Sequence, residues 1–236
     1  MSKIIDFHSH ILPGIDDGSS SLEESIAILR MEAEQGIEHV VATPHFYARH
    51  DTPKEFLVRR KNAEDRLREE MEKHTGLPKL SVGAEVYFFP GISDCDSLWE
   101  LTIGKKGCMI LEMPVSPWPE RMYQEVENIH DKLGILPIIA HVDRYIRPFR
   151  TYGIPEKLRE LPVLVQANAS FFLRSSTRRM ALRMLRKDQI HLLGSDCHNL
   201  LDRPPNLGDA LQMIEHMLPL EVNEHIVSYQ GIALRE

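Results

Sequence analysis

The chain has 236 residues, of which 42% are hydrophobic and 27% charged, the balance of a soluble globular protein long enough to bury a substantial core. A formal net charge of -7 gives no basic footprint for nucleic acid, although bound metals can still make a pocket attractive to anions. The three cysteines, Cys95, Cys108 and Cys197, fall in no paired spacing, so no disulfide framework is expected and a reducing, cytoplasmic location is.

In chain order, short apolar or β-branched runs alternate with helical stretches. The first run, Lys3–Phe7, follows an N-terminus without the basic-then-apolar pattern of a signal peptide. Ser21 with Glu24 reads as a capping box ahead of Ile26, Leu29 and Ala33, and Gly36 as the stop. His39–Thr43 is the second run. Thr52, Pro53 and Glu55 then read as N-cap, first-turn proline and box partner of a highly charged, largely exposed helix ending near Gly76. Leu80–Val86 is the third run, and Phe89–Ile103 reads as a short helical insertion. Cys108–Met113, Ile135–Ala140, Val163–Ala167 and Ile190–Gly194 complete seven runs. Ser175 or Ser176 is expected to open a basic helix whose Arg178–Lys187 surface reads as a solvated face. Asn206 is expected to open another helix, through Met217. No stretch approaches the roughly 18 apolar residues of a membrane span.

A spacing of roughly 30 residues per run is that of a βα unit. Alternating strands and helices imply a parallel sheet, and seven units within a single domain, 1–236, point to a barrel, complete or incomplete. Barrels of this kind place their chemistry at the C-terminal strand ends, so the residues just past each run are informative. The first run leads into His8 and His10, whose spacing on extended chain puts both imidazoles on one side. The others present His45, Glu85, Glu112, His141, and Asp196 with His198; Asp16-Asp17-Gly18 follows the first strand. The sixth ends at Gln166 and Asn168, with no charged ligand. Scattered histidines would not select the same end of six strands. The mixed His and carboxylate set predicts two or three divalent ions, Mn first with Fe or Zn possible, in preference to Mg or Ca. His39, His50, His74, His130, His191, His216 and His225 lie within elements or the tail and read as structural or solvated.

These residues resemble the polymerase and histidinol phosphatase (PHP) superfamily. More narrowly, IDFHSHILPGIDDG, IAHVDRY and SDCHNLLDRPP are similar to the bacterial PHP-type protein tyrosine phosphatases of capsule and exopolysaccharide synthesis. The resemblance covers nearly the whole chain and implies a distorted (β/α)7, TIM-barrel-like fold with three metals. It implies one ion on His8, His10, Glu85 and Asp196, a second on Glu85, Glu112 and His141, and a third on Asp17, His45 and His198. Arg144 and Arg203 would grip phosphate. The implied substrate is the phosphotyrosine-containing tail of a bacterial tyrosine kinase that regulates polysaccharide synthesis. One departure is Asp143, where the family often has Glu.

Three rivals stand beside this reading. Cys197 and Arg203 have the C-x5-R spacing of cysteine-dependent tyrosine phosphatases, but the intervening HNLLD has no glycine for a phosphate-wrapping loop. A histidinol-phosphate phosphatase, or another PHP phosphoesterase, would use the same ligands. A metal-bound module without turnover would also share them.

Overall fold

The structure, a computed structural model, describes residues 4–104, 107–146 and 153–234, with only the backbone of 220–225. Lys3 and the side chain of His225 lie outside the described residues. Among the described residues there are nine strands: β1 (Ile5–Ser9), β2 (His39–Ala42), β3 (His45–Phe46), β4 (Lys79–Val82), β5 (Glu85–Tyr87), β6 (Cys108–Glu112), β7 (Leu136–Ile139), β8 (Leu164–Asn168) and β9 (Leu192–Gly194). Every pairing between them is parallel. The second and third runs are each one path interrupted once. Pro44, which has no N–H to donate, separates β2 from β3, and Gly83-Ala84 separates β4 from β5. Backbone bonds span the interruption, Gly83 N–H to Ala42 O at 2.9 Å and Glu85 N–H to Pro44 O at 3.0 Å.

The ladder therefore runs from β1 through β2/β3 and β4/β5 to β6, β7, β8 and β9. The sheet curls until its first and last strands meet beyond their ends. Ser9 bridges Cys197 in parallel, His10 N–H donates to Cys197 O at 2.9 Å, and Asp196 N–H to His8 O at 2.8 Å.

Parallel register places Glu85, Ile110 and Ile138 in one row facing one side. That side is the concave one. Phe7, Val41, Ile110, Ile138, Ala140, Leu164 and Leu192 fill it, and each larger side chain so buried contributes about 1.5–3 kcal/mol. Glu85 shares the row of Ile110 and Ile138, and the other ligand-type residues gather round it at the strand ends, so the apolar plug is the floor of a cup. A second apolar layer packs the convex face against the helices.

Ser21 does cap α1 (Leu22–Glu34), accepting from Glu24 N–H, but the reciprocal half of the box is shifted: the Glu24 carboxylate takes Ser20 N–H at 2.8 Å and Ser20 Oγ at 2.7 Å. The Thr52–Glu55 box of α2 (Pro53–Met71) is complete, and that helix buries only Phe56, Ala63 and Leu67. It stops at Met71, short of Gly76. The insertion is two 3-10 turns, Ile92–Asp94 and Asp96–Leu101. The helix α3 (Glu120–Leu133) is not anticipated by the sequence reading; its apolar stripe of Met122, Tyr123, Val126 and Ile129 sits among strongly polar residues. Two single-turn helices, α4 (Ile154–Leu158) and α5 (Ala169–Leu173), follow. Neither Ser175 nor Ser176 caps α6 (Ser175–Arg186). Ser175 is its first helical residue and Arg174 holds the N-cap position without a side-chain bond. Asn206 occupies the N-cap position of α7 (Leu207–Met217), and α8 (Leu220–Leu234) closes the chain.

Candidate metal centre

The first ligands owe their aim to an irregular strand. Along β1, Asp6 aligns with Val40 but Ser9 with Ala42, three steps against two. Such a bulge breaks strict alternation. Phe7 enters the apolar floor, and the next residue, His8, still brings Nε2 to 3.2 Å from Glu85 Oε2. Two glycines let neighbouring backbone pass against the His8-Ser9-His10 segment. A Cβ on Gly194 would lie 2.6 Å from His8 Cβ, and one on Gly18 would lie 2.1 Å from His10 O. His141 and Asp196 are held in the left-handed region at φ 33° and 55°. For such residues this costs on the order of 1–3 kcal/mol, and strain of this kind concentrates where a side chain must be aimed.

The seam between β1 and the end of β9 is fastened by Asp6. Its Oδ1 accepts from His8 N–H at 3.0 Å and Ser195 N–H at 2.9 Å, and its Oδ2 from Ser195 Oγ at 2.5 Å. Behind it, burial and the Asp6 charge push the Glu32 carboxyl up to about 10. Glu32 therefore keeps its proton at neutral pH, and Asp6, Glu32 and Cys197 form a second buried group close enough to share an ion, on the outer side of the seam.

All nine expected ligands converge on the cup. Glu85 is central and 1% exposed. Its carboxylate lies 3.2 Å from His8 Nε2, 3.3 Å from His10 Nε2, 2.9 Å from His45 Nδ1 and 2.7 Å from His141 Nε2. Asp196 Oδ1 is 3.7 and 3.5 Å from the inner nitrogens of His8 and His10, and Glu112 Oε1 is 3.6 Å from His141 Nε2. Donor atoms fall within 4.8 Å of one another in three overlapping groups: His8, His10 and Glu85; His45, Glu85 and Glu112; and His10, Asp17, His45 and His198.

Most of the histidines are anchored from outside. His10 Nδ1 meets Asp16 Oδ2 at 2.8 Å, His8 Nδ1 meets Gln166 Oε1 at 3.4 Å, His141 Nδ1 meets the Tyr145 hydroxyl at 3.2 Å, and His198 Nδ1–H donates to Asp196 O at 3.0 Å. Each bond leaves Nε2 turned into the cup, the arrangement that fixes tautomer and direction in histidine metal ligands. His45 differs, with Nδ1 toward Glu85 and Nε2 toward Asp17. Three buried atoms, His45 Nδ1, Glu85 Oε2 and Glu112 Oε2, have no hydrogen bond of good geometry, although the first two lie 2.9 Å apart. Buried polar atoms are rarely left so, and an imidazole nitrogen and two carboxylates crowded within 4.8 Å of one another are a donor set that suits a cation.

Charge in the cup is tightly linked. Burial opposes charge on His8, but Glu85 and Asp196 outweigh it and raise its pKa above the ordinary value. His10 is raised further, against burial, by Asp16, Asp196 and Glu85. Against the same desolvation, His8, His10 and His141 hold Glu85 well below the carboxylate range, and His8 and His10 do so for Asp196. Burial, then the His10 and Arg203 charges, lower His198 to about 4.

Arg144 and Arg203 converge from the rim on Asp196 Oδ2, at 2.5 and 2.7 Å. Arg144 also lies 3.3 Å from Glu112, and Arg203 donates to His198 Nε2 at 2.8 Å. Cys197, by contrast, is fully buried on the far side of the seam, its thiol within 4.0 Å of Glu32. Burial, with Glu32 and Asp6 behind it, pushes that thiol well up. A nucleophile needs a thiolate and an approach, so Cys197→Ala is expected to retain most phosphoesterase activity; loss of nearly all turnover with metal still bound would revive the thiol route.

The sequence reading singled out no outer partners. Gln166 and Asn168 end the strand without charged ligands, yet Gln166 Oε1 accepts from His141 N–H at 2.6 Å, and Asn168 Nδ2 donates to Asp196 Oδ2 at 2.9 Å. Asp143 accepts Asn168 N–H at 3.1 Å, tying the ends of β7 and β8. Asp16 serves His10, His45 N–H at 3.0 Å and Gly18 N–H at 3.0 Å. Its adjacency to Asp17 was the available signal, but chemistry alone does not separate ligand from anchor. Of the histidines read as structural, His39 meets Ser81 Oγ at 2.9 Å and His191 accepts Val165 N–H at 2.9 Å, both away from the cup.

Comparison with known proteins bears on this arrangement. The tyrosine-protein phosphatase YwqE of Bacillus subtilis is 28% identical over 237 residues, covering 98% of this chain and 92% of that protein. The tyrosine-protein phosphatase CpsB of Streptococcus pneumoniae is 29% identical over 228 residues, covering 89% of each chain. Among solved structures, work on YwqE from Bacillus subtilis and CpsB from Streptococcus pneumoniae, described as unique metal-dependent tyrosine phosphatases, matches with a TM-score of 0.84 at 22% identity, covering 98% of this chain and 94% of that one. At that identity the structural match speaks to the fold. The sequence match is decisive: residues 4–234, which carry every expected ligand, fit the CpsB/CapC family of capsular polysaccharide synthesis, and the chain belongs to that family.

Proposed function

We propose that this chain is a metal-dependent phosphomonoesterase that removes phosphate from tyrosine, acting on the phosphotyrosine-containing tail of a tyrosine kinase in capsule or exopolysaccharide synthesis. The observation that carries the reading is the crowding of buried donor atoms from His45, Glu85 and Glu112 within 4.8 Å of one another, inside a ring of outward-anchored histidines. Family membership and the tyrosine phosphatase names of the relatives support the substrate.

Two or three divalent ions fit the donors, Mn first, with Fe or Zn also suited to a mixed nitrogen and carboxylate set. His8, His10, Glu85 and Asp196 would hold one, Glu85, Glu112 and His141 a second, and Asp17, His45 and His198 a third. Bound there, such ions supply Lewis-acid charge to phosphoryl oxygens and lower the pKa of coordinated water. The protein's own part is orientation. Arg144 and Arg203 present planar forks matching phosphate oxygens, a geometry lysine lacks. Anchored rings hold direction without reorganising. A phenol leaves with a pKa of about 10, so an aryl ester needs less acid assistance than an alkyl one.

The distorted (β/α)7 barrel is the finer description of the curled sheet, supported by the Ser9–Cys197 bridge joining its ends. A cytoplasmic location fits a chain in which no helix of the described residues is long and apolar enough to cross a membrane.

The direct test compares a phosphotyrosine peptide, histidinol phosphate and single-stranded DNA with metal-loaded protein. Fastest turnover of the peptide is expected; preference for histidinol phosphate would reject the substrate. Arg203→Ala should keep normal metal content while lowering kcat/KM for phosphotyrosine by roughly a hundredfold, about 2.7 kcal/mol of transition-state binding. Unchanged kinetics on every phosphoester would remove Arg203 from the site.

A further inference from the structure

The rim of the cup carries aromatic side chains that the proposed chemistry does not use. His45 and Glu85 are in register on adjacent strands. Tyr47 stands two residues beyond His45, and Tyr87 two residues beyond Glu85. Tyr87 is itself in register with Glu112. Two residues of extended chain advance about 6.6–6.8 Å while returning to the same face, so both tyrosines stand one step beyond His45 and Glu85, in the row of Glu112. The rings confirm the placement: Tyr47 lies 5.2 Å from His45 and 5.6 Å from Tyr87, centroid to centroid. Farther out, the Arg49 guanidinium carbon is 5.9 Å from the Tyr47 ring centroid and the His50 ring 5.7 Å from it. Both tyrosines are partly open to solvent, whereas His8, His10, Glu85 and His141 below them are buried.

We propose that Tyr47 and Tyr87 wall an aryl subsite that receives the phenyl ring of phosphotyrosine while the phosphate reaches the ligand row beneath. The proposal deepens the phosphotyrosine reading and rests on it. A phosphate held by Arg144, Arg203 and the ligand row directs its ester oxygen toward the rim. The group attached to that oxygen then lies on the open side of His45 and Glu85, where the partly exposed tyrosines are. A phenyl ring meets them edge-to-face or offset, the geometry aromatic pairs prefer. Phosphoserine and phosphothreonine present no ring, and their shorter side chains would draw peptide backbone down between Tyr47 and Tyr87. The wall thus selects twice, by stacking and by depth.

The test separates ring recognition from phosphate recognition. Calorimetry on manganese-loaded protein is run with phenylphosphonate and methylphosphonate, neither of which is hydrolysed. Wild type is expected to favour phenylphosphonate by about two- to tenfold, the range of a single aromatic contact. Tyr47→Ala and Tyr47→Leu should both bring that ratio to near one, while Tyr47→Phe retains it. In parallel, Tyr47→Leu should raise KM for a phosphotyrosine peptide more than it lowers kcat. Full phenyl preference in Tyr47→Ala and Tyr47→Leu would overturn the subsite, as would equal loss of affinity for both phosphonates. A wild-type protein that shows the preference yet hydrolyses no phosphoester would sink the phosphatase reading and leave the subsite standing.

Discussion

Glutamine in place of Glu85 should strip the centre of metal and abolish turnover in one step. The Glu85 carboxylate lies within 3.3 Å of nitrogens from His8, His10, His45 and His141, which arrive from three separate strand ends. An amide of the same shape removes the negative charge that balances them and turns an N–H2 group toward atoms that also need a partner. A buried group left unmatched costs about 1–3 kcal/mol, and more where charge is involved. Because Glu85 belongs to two of the three donor groups, the loss spreads across the centre. A fall in kcat/KM on the order of a thousandfold or more is expected, together with near-complete loss of bound metal by elemental analysis. Normal metal content in an inactive Glu85→Gln protein would show that Glu85 is not a ligand. Retained activity would displace the whole assignment.

How far the sequence reveals this centre depends on which interactions are local. The strands are legible because β-branched runs recur at βα spacing, and the ligands because chemistry-bearing residues stand at the same end of each. The bulge in β1 is not legible. Nothing in Ile5–Ser9 announces that Phe7 and His8 both turn inward, since that follows from pairing with β2. The helix α3 escapes for a related reason: its buried stripe, Met122, Tyr123, Val126 and Ile129, acquires meaning only against the sheet it covers. Gln166 and Asn168 look like an empty strand end because neutral amides make poor ligands. Their value lies in holding His141 and Asp196, residues 25 and 28 positions away. Tyr47 and Tyr87 are ordinary tyrosines until the register of β3 with β5 sets them side by side at the rim.

Removal of the metals should lower the thermal midpoint, and by more at higher pH. Stripped of metal, the protein takes part of its stability from His8 and His10 beside carboxylates, which raise both above the ordinary histidine value of 6.5. A raised folded pKa contributes stability fully below the unfolded value and loses it as pH climbs through the folded one. Glu85 and Asp196 have the opposite sign. Held below their ordinary values, they contribute throughout the neutral range and fail only on acidification. The stripped protein therefore weakens upward from about pH 6.5. Over the same interval metal binding strengthens, since ligating imidazoles must give up protons. Each proton released is worth about tenfold in affinity, or 1.4 kcal/mol, per pH unit. With two histidines involved at fixed free metal, the midpoint difference between loaded and stripped protein should widen by roughly 5–10 °C per pH unit above neutrality. Scanning calorimetry with and without chelator across that range reads it directly. A difference that stays flat, or shrinks as pH rises, would mean that His8 and His10 do not surrender protons to bound metal.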